Sequence, residues 1–310
     1  MAGSASTLER PSPSAVRIWL MAARPRTLPA AVAPVLVGTS LALGDDTFHP
    51  LAFVAALLGA IFIQVGTNLS NDYSDARRGA DTEDRLGPVR VTAGGLVPPS
   101  QVLLATYVTF GLAVCCGIYL IAVAGWALLA VGAASILAGV LYTGGPRPYG
   151  YEGLGELFVF LFFGIVAVAG SYYVQVQQLS WQAFVCAVPV GLLASAILVV
   201  NNVRDLETDR RAGKRTLAVR LGRERTRALY ATMLALAFLT APVPWLGGSM
   251  NAWLLLPWVA APLAVKLVRV VSSRVDGPAL NGALAGTGQL QLLFCVLYAA
   301  GILAAGGIAA

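Results

Sequence analysis

Two stretches of this 310-residue chain place carboxylates and amides at helical spacing. Asn68, Asn71, Asp72 and Asp75 stand at i, i+3, i+4 and i+7, and Asn201, Asp205 and Asp209 at i, i+4 and i+8. On a helix each set falls along one face. Like charges one turn apart repel, and carboxylates near hydrocarbon are costly to ionise, so both faces call for a compensating cation. Oxygen donors without His or Cys suit Mg²⁺. That ion is rarely caged by protein alone and commonly takes a few carboxylates plus substrate phosphate oxygens, so a phosphorylated substrate is implied. Arg204, Arg210, Arg211, Lys214 and Arg215 beside the second set could hold its phosphates. One DxxxD after an apolar helix is ordinarily a solvated loop. Two of them at equivalent helix ends, each with Asn one turn earlier, favour a metal–diphosphate site.

The elements that must position these groups are apolar. Apolar residues make up 57% of the chain and Asp, Glu, Lys and Arg only 12%, against roughly 25% charge in a soluble domain. An all-α integral membrane protein is expected. At about 20 residues per crossing, uncharged windows fall near 28–43, 51–70, 101–122, 125–143, 156–175, 182–202, 228–246, 252–271 and 280–304, which predicts nine transmembrane helices. Residues 1–14 read as a polar tail without the apolar core of a cleaved signal, and 15–310 as one membrane domain. Cys115, Cys116, Cys186 and Cys295 all sit in apolar runs and are expected to pack. The single His, His49, excludes His-based metal or triad chemistry.

Under this assignment all 21 Lys and Arg fall on one side, which the positive-inside rule makes cytoplasmic. The N-terminus is then inside, the C-terminus outside, and a cell-membrane location follows. The net charge of +6 is accounted for by topology and calls for no nucleic-acid partner. Four helices separate QVGTNLSNDYSDARRGAD from LVVNNVRDLETDRRAGKR, an even number, so both polar helix ends reach the same face as a parallel pseudo-repeat would.

NLSNDYSDARRGAD and NNVRDLETDRRAGKRT resemble the two aspartate-rich motifs of the UbiA superfamily of membrane prenyltransferases. Segments ARPRTLPAAVAPVLVG (23–38), GPVRVTAGGLV (87–97), YTGGPRPYGYEGLGE (142–156) and TGQLQLLF (287–294) are similar to the branch that prenylates 1,4-dihydroxy-2-naphthoate in menaquinone synthesis. The resemblance implies a helical bundle around a central cavity that opens to the cytoplasmic side, where Mg²⁺ holds a polyprenyl diphosphate. Carried over by position, Asn71, Asp75, Asp205 and Asp209 would be the principal ligands, with Asn68, Asp72 and Asn201 in support. Asp72, Asp75, Asp205 and Asp209 would form the catalytic carboxylates. The superfamily's first motif often carries a third acid four residues after the second, where this chain has Gly79; its next acid is Asp81.

An allylic diphosphate ionises when its leaving group is neutralised, which Mg²⁺ with Arg204, Lys214, Arg215 and Arg147 would achieve. The allyl cation must be kept from water and met by an electron-rich ring. Tyr142, Tyr149 and Tyr151 could shield it by their π faces, although interfacial Tyr is usually a belt residue. Arg147 could instead hold an acceptor carboxylate, and Glu156 could orient a cation or remove a proton. Gln64, Gln289 and Gln291 could face the cavity or join helices by hydrogen bonds. Gly-rich stretches at 38–44 and 282–288 read as close helix packing. An ion-coupled carrier is the competing class, but its sites usually lie at the bilayer midplane. A CDP-alcohol phosphotransferase would need a DGxxAR element, which is absent. A sister enzyme acting on 4-hydroxybenzoate is the nearest enzymatic alternative.

Overall fold

The computed structural model describes residues 14–80 and 86–306; Asp81 and all but the last residue of the tail 1–14 lie outside them. The described residues form helices and connecting turns, with no strand. In chain order the principal helices are α1 (Ala15–Ala23), α2 (Pro29–Gly44), α3 (Pro50–Arg77), α4 (Pro99–Ala124), α5 (Ala127–Leu141), α6 (Gly155–Val176), α7 (Trp181–Arg211), α8 (Arg223–Thr240), α9 (Ala252–Ser273) and α10 (Gly277–Ala305).

Each apolar window of the sequence overlaps a helix, although the window near 228–246 runs past the end of α8 at Thr240. Six (α3, α4, α6, α7, α9 and α10) are long and apolar enough to cross a membrane by themselves, and a seventh span forms if α2 is joined to the segment before it across a 51° bend. Helix α5 falls short because it has 15 residues, about 22 Å at 1.5 Å per residue. Helix α8 falls short because Arg223, Glu224, Arg225 and Arg227 occupy its first turns. The protein is a multi-pass membrane protein.

Local chemistry sets the boundaries. Proline stands in the first turn of α2, α3 and α4, where its missing N–H costs no helical hydrogen bond. Ser180 caps α7 by accepting from Gln182 N–H, and Asp276 caps α10 by accepting from Ala279 N–H. The 51° bend falls at Leu28, just before the proline that opens α2, and α1 itself ends at Arg24, whose φ of 55° is left-handed.

The bundle has a packed half and a hollow half. Helix α7 is the post of the packed half, 72% buried over its apolar window, and it packs against α2, α6, α8 and α10. Its approach to α6 depends on glycine, since a Cβ on Gly164 would lie 2.5 Å from the Cα of Gly191. Here α6 widens into a π-helical stretch, Phe160–Val166. In the hollow half, α5 packs against α3 and α4. Exposed Leu104, Val108, Leu112, Leu137 and Leu141, none of them on the cavity between the helices, give α4 and α5 the outward face of lipid-facing helices.

Candidate active site

A cavity of about 520 Å³ lies between the two halves, lined from α2 to α7. It is polar at one end and apolar along its length. Asn68, Asn71 and Asp75 line the polar end from α3, and Asn201, Asp205 and Asp209 from α7. The apolar wall comes from Ile118, Ile121, Leu129, Phe158, Phe162 and Val166.

The turns beyond the helices bring the two carboxylate faces together. Residues 212–216 fold back over the polar end, with Lys214 N–H donating to Asp209 O at 2.9 Å and Arg215 N–H to Tyr151 O at 2.9 Å. Lys214 Nζ thereby stands 3.5 Å from Asp75 Oδ2 and 4.0 Å from Asp209 Oδ1. It also lies 4.7 Å from the centre of the Tyr151 ring. The Tyr151 hydroxyl donates to Asp75 Oδ1 at 2.6 Å. Asp75 is 2% exposed, so its charge needs these partners. Arg78, one residue past α3, donates to the carbonyls of Thr143 and Gly145 and fixes the start of the loop that carries Tyr149 and Tyr151.

The amides are also held. Asn68 Nδ2 donates to Ala23 O at 2.9 Å, and Thr143 Oγ1 donates to Asn71 Oδ1 at 2.9 Å. The oxygens of Asp205 take a forked pair of hydrogen bonds from Arg204, Nε–Oδ1 2.8 Å and Nη2–Oδ2 2.6 Å. Arg204 is completed by Asn201 Oδ1 at 2.8 Å and Asn281 Oδ1 at 2.7 Å.

Several expected residues stand elsewhere. Arg204 is spent on Asp205 and does not line the cavity, and Arg215 and Arg147 are exposed outside it. Asp72 turns away and accepts the N–H groups of Val91 at 3.2 Å and Thr92 at 2.9 Å. Glu156 is off the cavity, its Oε1 accepting from Asn202 Nδ2 at 2.8 Å. Tyr142 and Tyr149 do line it. Their rings meet edge-on at 5.5 Å, and Tyr149 stacks on Phe158 at 4.1 Å. Burial pushes the Tyr149 hydroxyl above the ordinary phenol range, so it stays a donor, to Ala138 O at 2.8 Å. Gln64 lines the cavity and donates to Thr27 at 3.2 Å; Gln289 and Gln291 do not line it.

Arg24, Arg90 and Asn202 also line the cavity, and the sequence had offered the two arginines only as topology charges. Arg90 Nη2 is 3.5 Å from Asp75 Oδ2. A cation within twenty residues of the first motif, in a Gly- and Pro-rich connection, was the available signal.

The donor set fits a hard divalent ion. It consists of carboxylate and amide oxygens on two facing helices, and among the described residues no three His, Cys, Asp or Glu side chains form a cage by themselves. Such a site leaves coordination positions for water and phosphate oxygens, as Mg²⁺ prefers.

Residues 31–281 match the UbiA prenyltransferase family. The chain belongs to that family. It is 44% identical to a 1,4-dihydroxy-2-naphthoate octaprenyltransferase of Mycobacterium tuberculosis, over 93% of this chain and 97% of the relative. It is 39% identical to the Escherichia coli protein of the same name, over 93% and 96%. Among solved structures, a UbiA homolog from Archaeoglobus fulgidus bound to GPP and Mg²⁺ superposes with a TM-score of 0.64 at 18% identity, over 93% of this chain and 99% of that one. At that identity the likeness bears on the UbiA fold.

Proposed function

We propose that this chain transfers a polyprenyl group from a polyprenyl diphosphate to 1,4-dihydroxy-2-naphthoate, releasing diphosphate and CO₂ and giving a demethylmenaquinol. The observation that carries the reading is 44% identity, over 93% of this chain and 97% of the relative, to a protein named for this acceptor. The cavity supports it, with its charged groups at one end and an apolar wall for the isoprenoid. Polyprenyl diphosphate, the naphthoate and the lipid bilayer are the partners.

At the polar end Asn71, Asp75, Asp205 and Asp209 would hold Mg²⁺, with Asn68 and Asn201 beside them, and Lys214, Arg90 and Arg24 would bind the diphosphate. Bound Mg²⁺ supplies Lewis-acid neutralisation of the leaving diphosphate. Lys214 and Arg90, both within 3.5 Å of Asp75, add positive charge where negative charge develops. Tyr142, Tyr149 and Phe158 present aromatic surface to the adjoining cavity, which suits an allyl cation and excludes water. The carbon–oxygen bond breaks with its electron pair leaving on the diphosphate, and the ring carbon bearing the carboxylate attacks the allyl cation so formed. Loss of CO₂ then returns the carbon–carbon bonding pair to the ring and restores aromaticity. That carbon carries no proton, so no base is needed there, in keeping with Glu156 lying off the cavity.

Residues 15–310 act as one membrane domain of nine spans in the cell membrane, with the cavity opening at the cytoplasmic face. The N-terminus is cytoplasmic and the C-terminus outside, since this arrangement puts every Lys and Arg inside. The test is to supply membranes containing the protein with Mg²⁺, a polyprenyl diphosphate and carboxyl-labelled naphthoate. Labelled CO₂ should appear in step with prenylated product. Prenylation of 4-hydroxybenzoate with its carboxyl retained, and none of the naphthoate, would overturn the acceptor while leaving the family intact.

A further inference from the structure

We propose that Asp72 is a positioning residue that folds the 90–97 turn and so delivers Arg90 to the cavity mouth, and that it is not a metal ligand. The proposal rests on a prenyl diphosphate occupying that mouth and is independent of the aromatic acceptor.

Helix geometry separates Asp72 from its neighbours. At about 100° per residue, the cavity-lining Gln64, Asn68, Asn71 and Asp75 of α3 share one stripe. Asp72 is turned about 100° from Asn71, toward the 90–97 segment. It is 1% exposed, so its carboxylate must be satisfied inside the protein. The satisfying groups are backbone N–H groups of consecutive residues, Val91 at 3.2 Å to Oδ2 and Thr92 at 2.9 Å to Oδ1.

The segment so held is a compact turn. Gly94 N–H donates to Arg90 O at 2.9 Å, Leu96 N–H to Val91 O at 2.9 Å, and Gly95 takes a left-handed φ of 68°. Val91 and Val97 are buried in a small cluster with Leu69, Ala22 and Val102. Both anchors of this turn, one polar and one apolar, come from the same turn of α3 that carries Asn71. Arg90 immediately precedes the two clamped N–H groups, and its guanidinium is 3.5 Å from Asp75 while lining the cavity. A carboxylate on one side of α3 thus places a cation on the other.

Val91 and Thr92 each use a different oxygen of Asp72, and asparagine would replace one of these oxygens with an amide nitrogen that turns a donor toward a donor. The variants are Asp72→Asn, Arg90→Gln, the double variant, and Asp75→Asn as the metal-ligand comparison. The measurements are equilibrium binding of geranyl diphosphate at saturating Mg²⁺, and the Mg²⁺ concentration for half-maximal turnover. Asp72→Asn and Arg90→Gln should each weaken diphosphate binding, by about tenfold or more for loss of a charge-assisted contact. The double variant should be no worse than Arg90→Gln alone, since both substitutions remove one effect. The Mg²⁺ requirement should rise for Asp75→Asn and stay unchanged for Asp72→Asn. A raised Mg²⁺ requirement in Asp72→Asn, unaltered diphosphate binding, or additive losses would overturn the proposal.

A second measurement needs no variant, which covers failure of Asp72→Asn to fold. Hydrogen exchange of the Val91 and Thr92 amides in the unsubstituted protein should be slow and should not speed up when Mg²⁺ is added. A metal ligand would have to release these amides, so faster exchange with Mg²⁺ would refute the positioning role. If the unsubstituted protein bound no geranyl diphosphate at all, the functional reading would fall, and the exchange result would still judge Asp72.

Discussion

Lys214 offers the sharpest test of the mechanism, because its ammonium contacts both carboxylate faces. Its Nζ is within 4.0 Å of carboxylate oxygens of Asp75 and Asp209, and it lies over the Tyr151 ring. Substituting Lys214→Met keeps a long apolar stem and removes the charge. A charge-assisted contact to phosphate contributes about 1.5–3 kcal/mol, so kcat/KM for the polyprenyl diphosphate should fall by about 10- to 150-fold at 1.4 kcal/mol per decade. The Mg²⁺ dependence should move the other way. In the unliganded protein Lys214 competes with a metal for the same carboxylates, so its removal leaves them more negative. The Mg²⁺ concentration for half-maximal turnover should therefore stay the same or fall. The assay is prenylation of the naphthoate at saturating acceptor, titrating each of the other two components. An unchanged kcat/KM for the diphosphate, or a rise in the Mg²⁺ requirement, would refute this use of Lys214.

Asp75→Ala and Asp205→Ala should each abolish nearly all turnover while the protein remains folded in the membrane, and EDTA should do the same to the unsubstituted protein; substantial turnover in EDTA would remove the metal from the mechanism. Topology reporters fused after Gly247 and at Ala310 should both report the outside, and a cytoplasmic signal from either would break the nine-span arrangement. Gly164→Val would push a side chain against Gly191, where even a Cβ has only 2.5 Å, so it should cost about 1–3 kcal/mol of stability, read as a lower unfolding temperature in detergent.

Much of the helical plan was legible because an apolar helix in lipid needs a long uncharged run, and such runs are plain in the sequence. The places where span and helix diverge are those where a second requirement intrudes. The charges at the start of α8 serve the polar end of the bundle, with Arg223 donating to Val203 O at 2.9 Å and Arg227 to Arg274 O at 2.7 Å. Helix spacing located Asn68, Asn71, Asp75, Asn201, Asp205 and Asp209, all of which line one cavity. It could not separate Asp72 from them, because a stripe of four residues leaves its own centre undefined until the packing of the helix is known. The basic residues were less legible. Arg204 lies between Asn201 and Asp205 in sequence, yet its fork closes on them and on Asn281. Arg90 reaches the cavity because the chain from 86 to 97 folds back on the bundle, with Val91 and Thr92 N–H donating to Asp72 of α3 and Leu86 O accepting from Asn281 Nδ2 of α10 at 3.0 Å.

The echo between the two aspartate motifs acquires a physical meaning from the different company that α3 and α7 keep. Helix α7 is the buried post of the packed half, and its Asp205 is held by a rigid guanidinium fork from the same helix. The window of α3 is only 17% buried, and its Asp75 is held by Tyr151, Arg90 and Lys214, all from the connections beyond the helix ends. One carboxylate face is therefore fixed by the bundle and the other by loops. A diphosphate arriving between them would offer Arg90 and Lys214 a stronger anion than Asp75, and their transfer to it would release Asp75 oxygens toward the metal. Arg90 and Lys214 would then serve both states, balancing Asp75 in the empty site and the diphosphate in the filled one, so that positive charge already stands where the leaving group develops its negative charge.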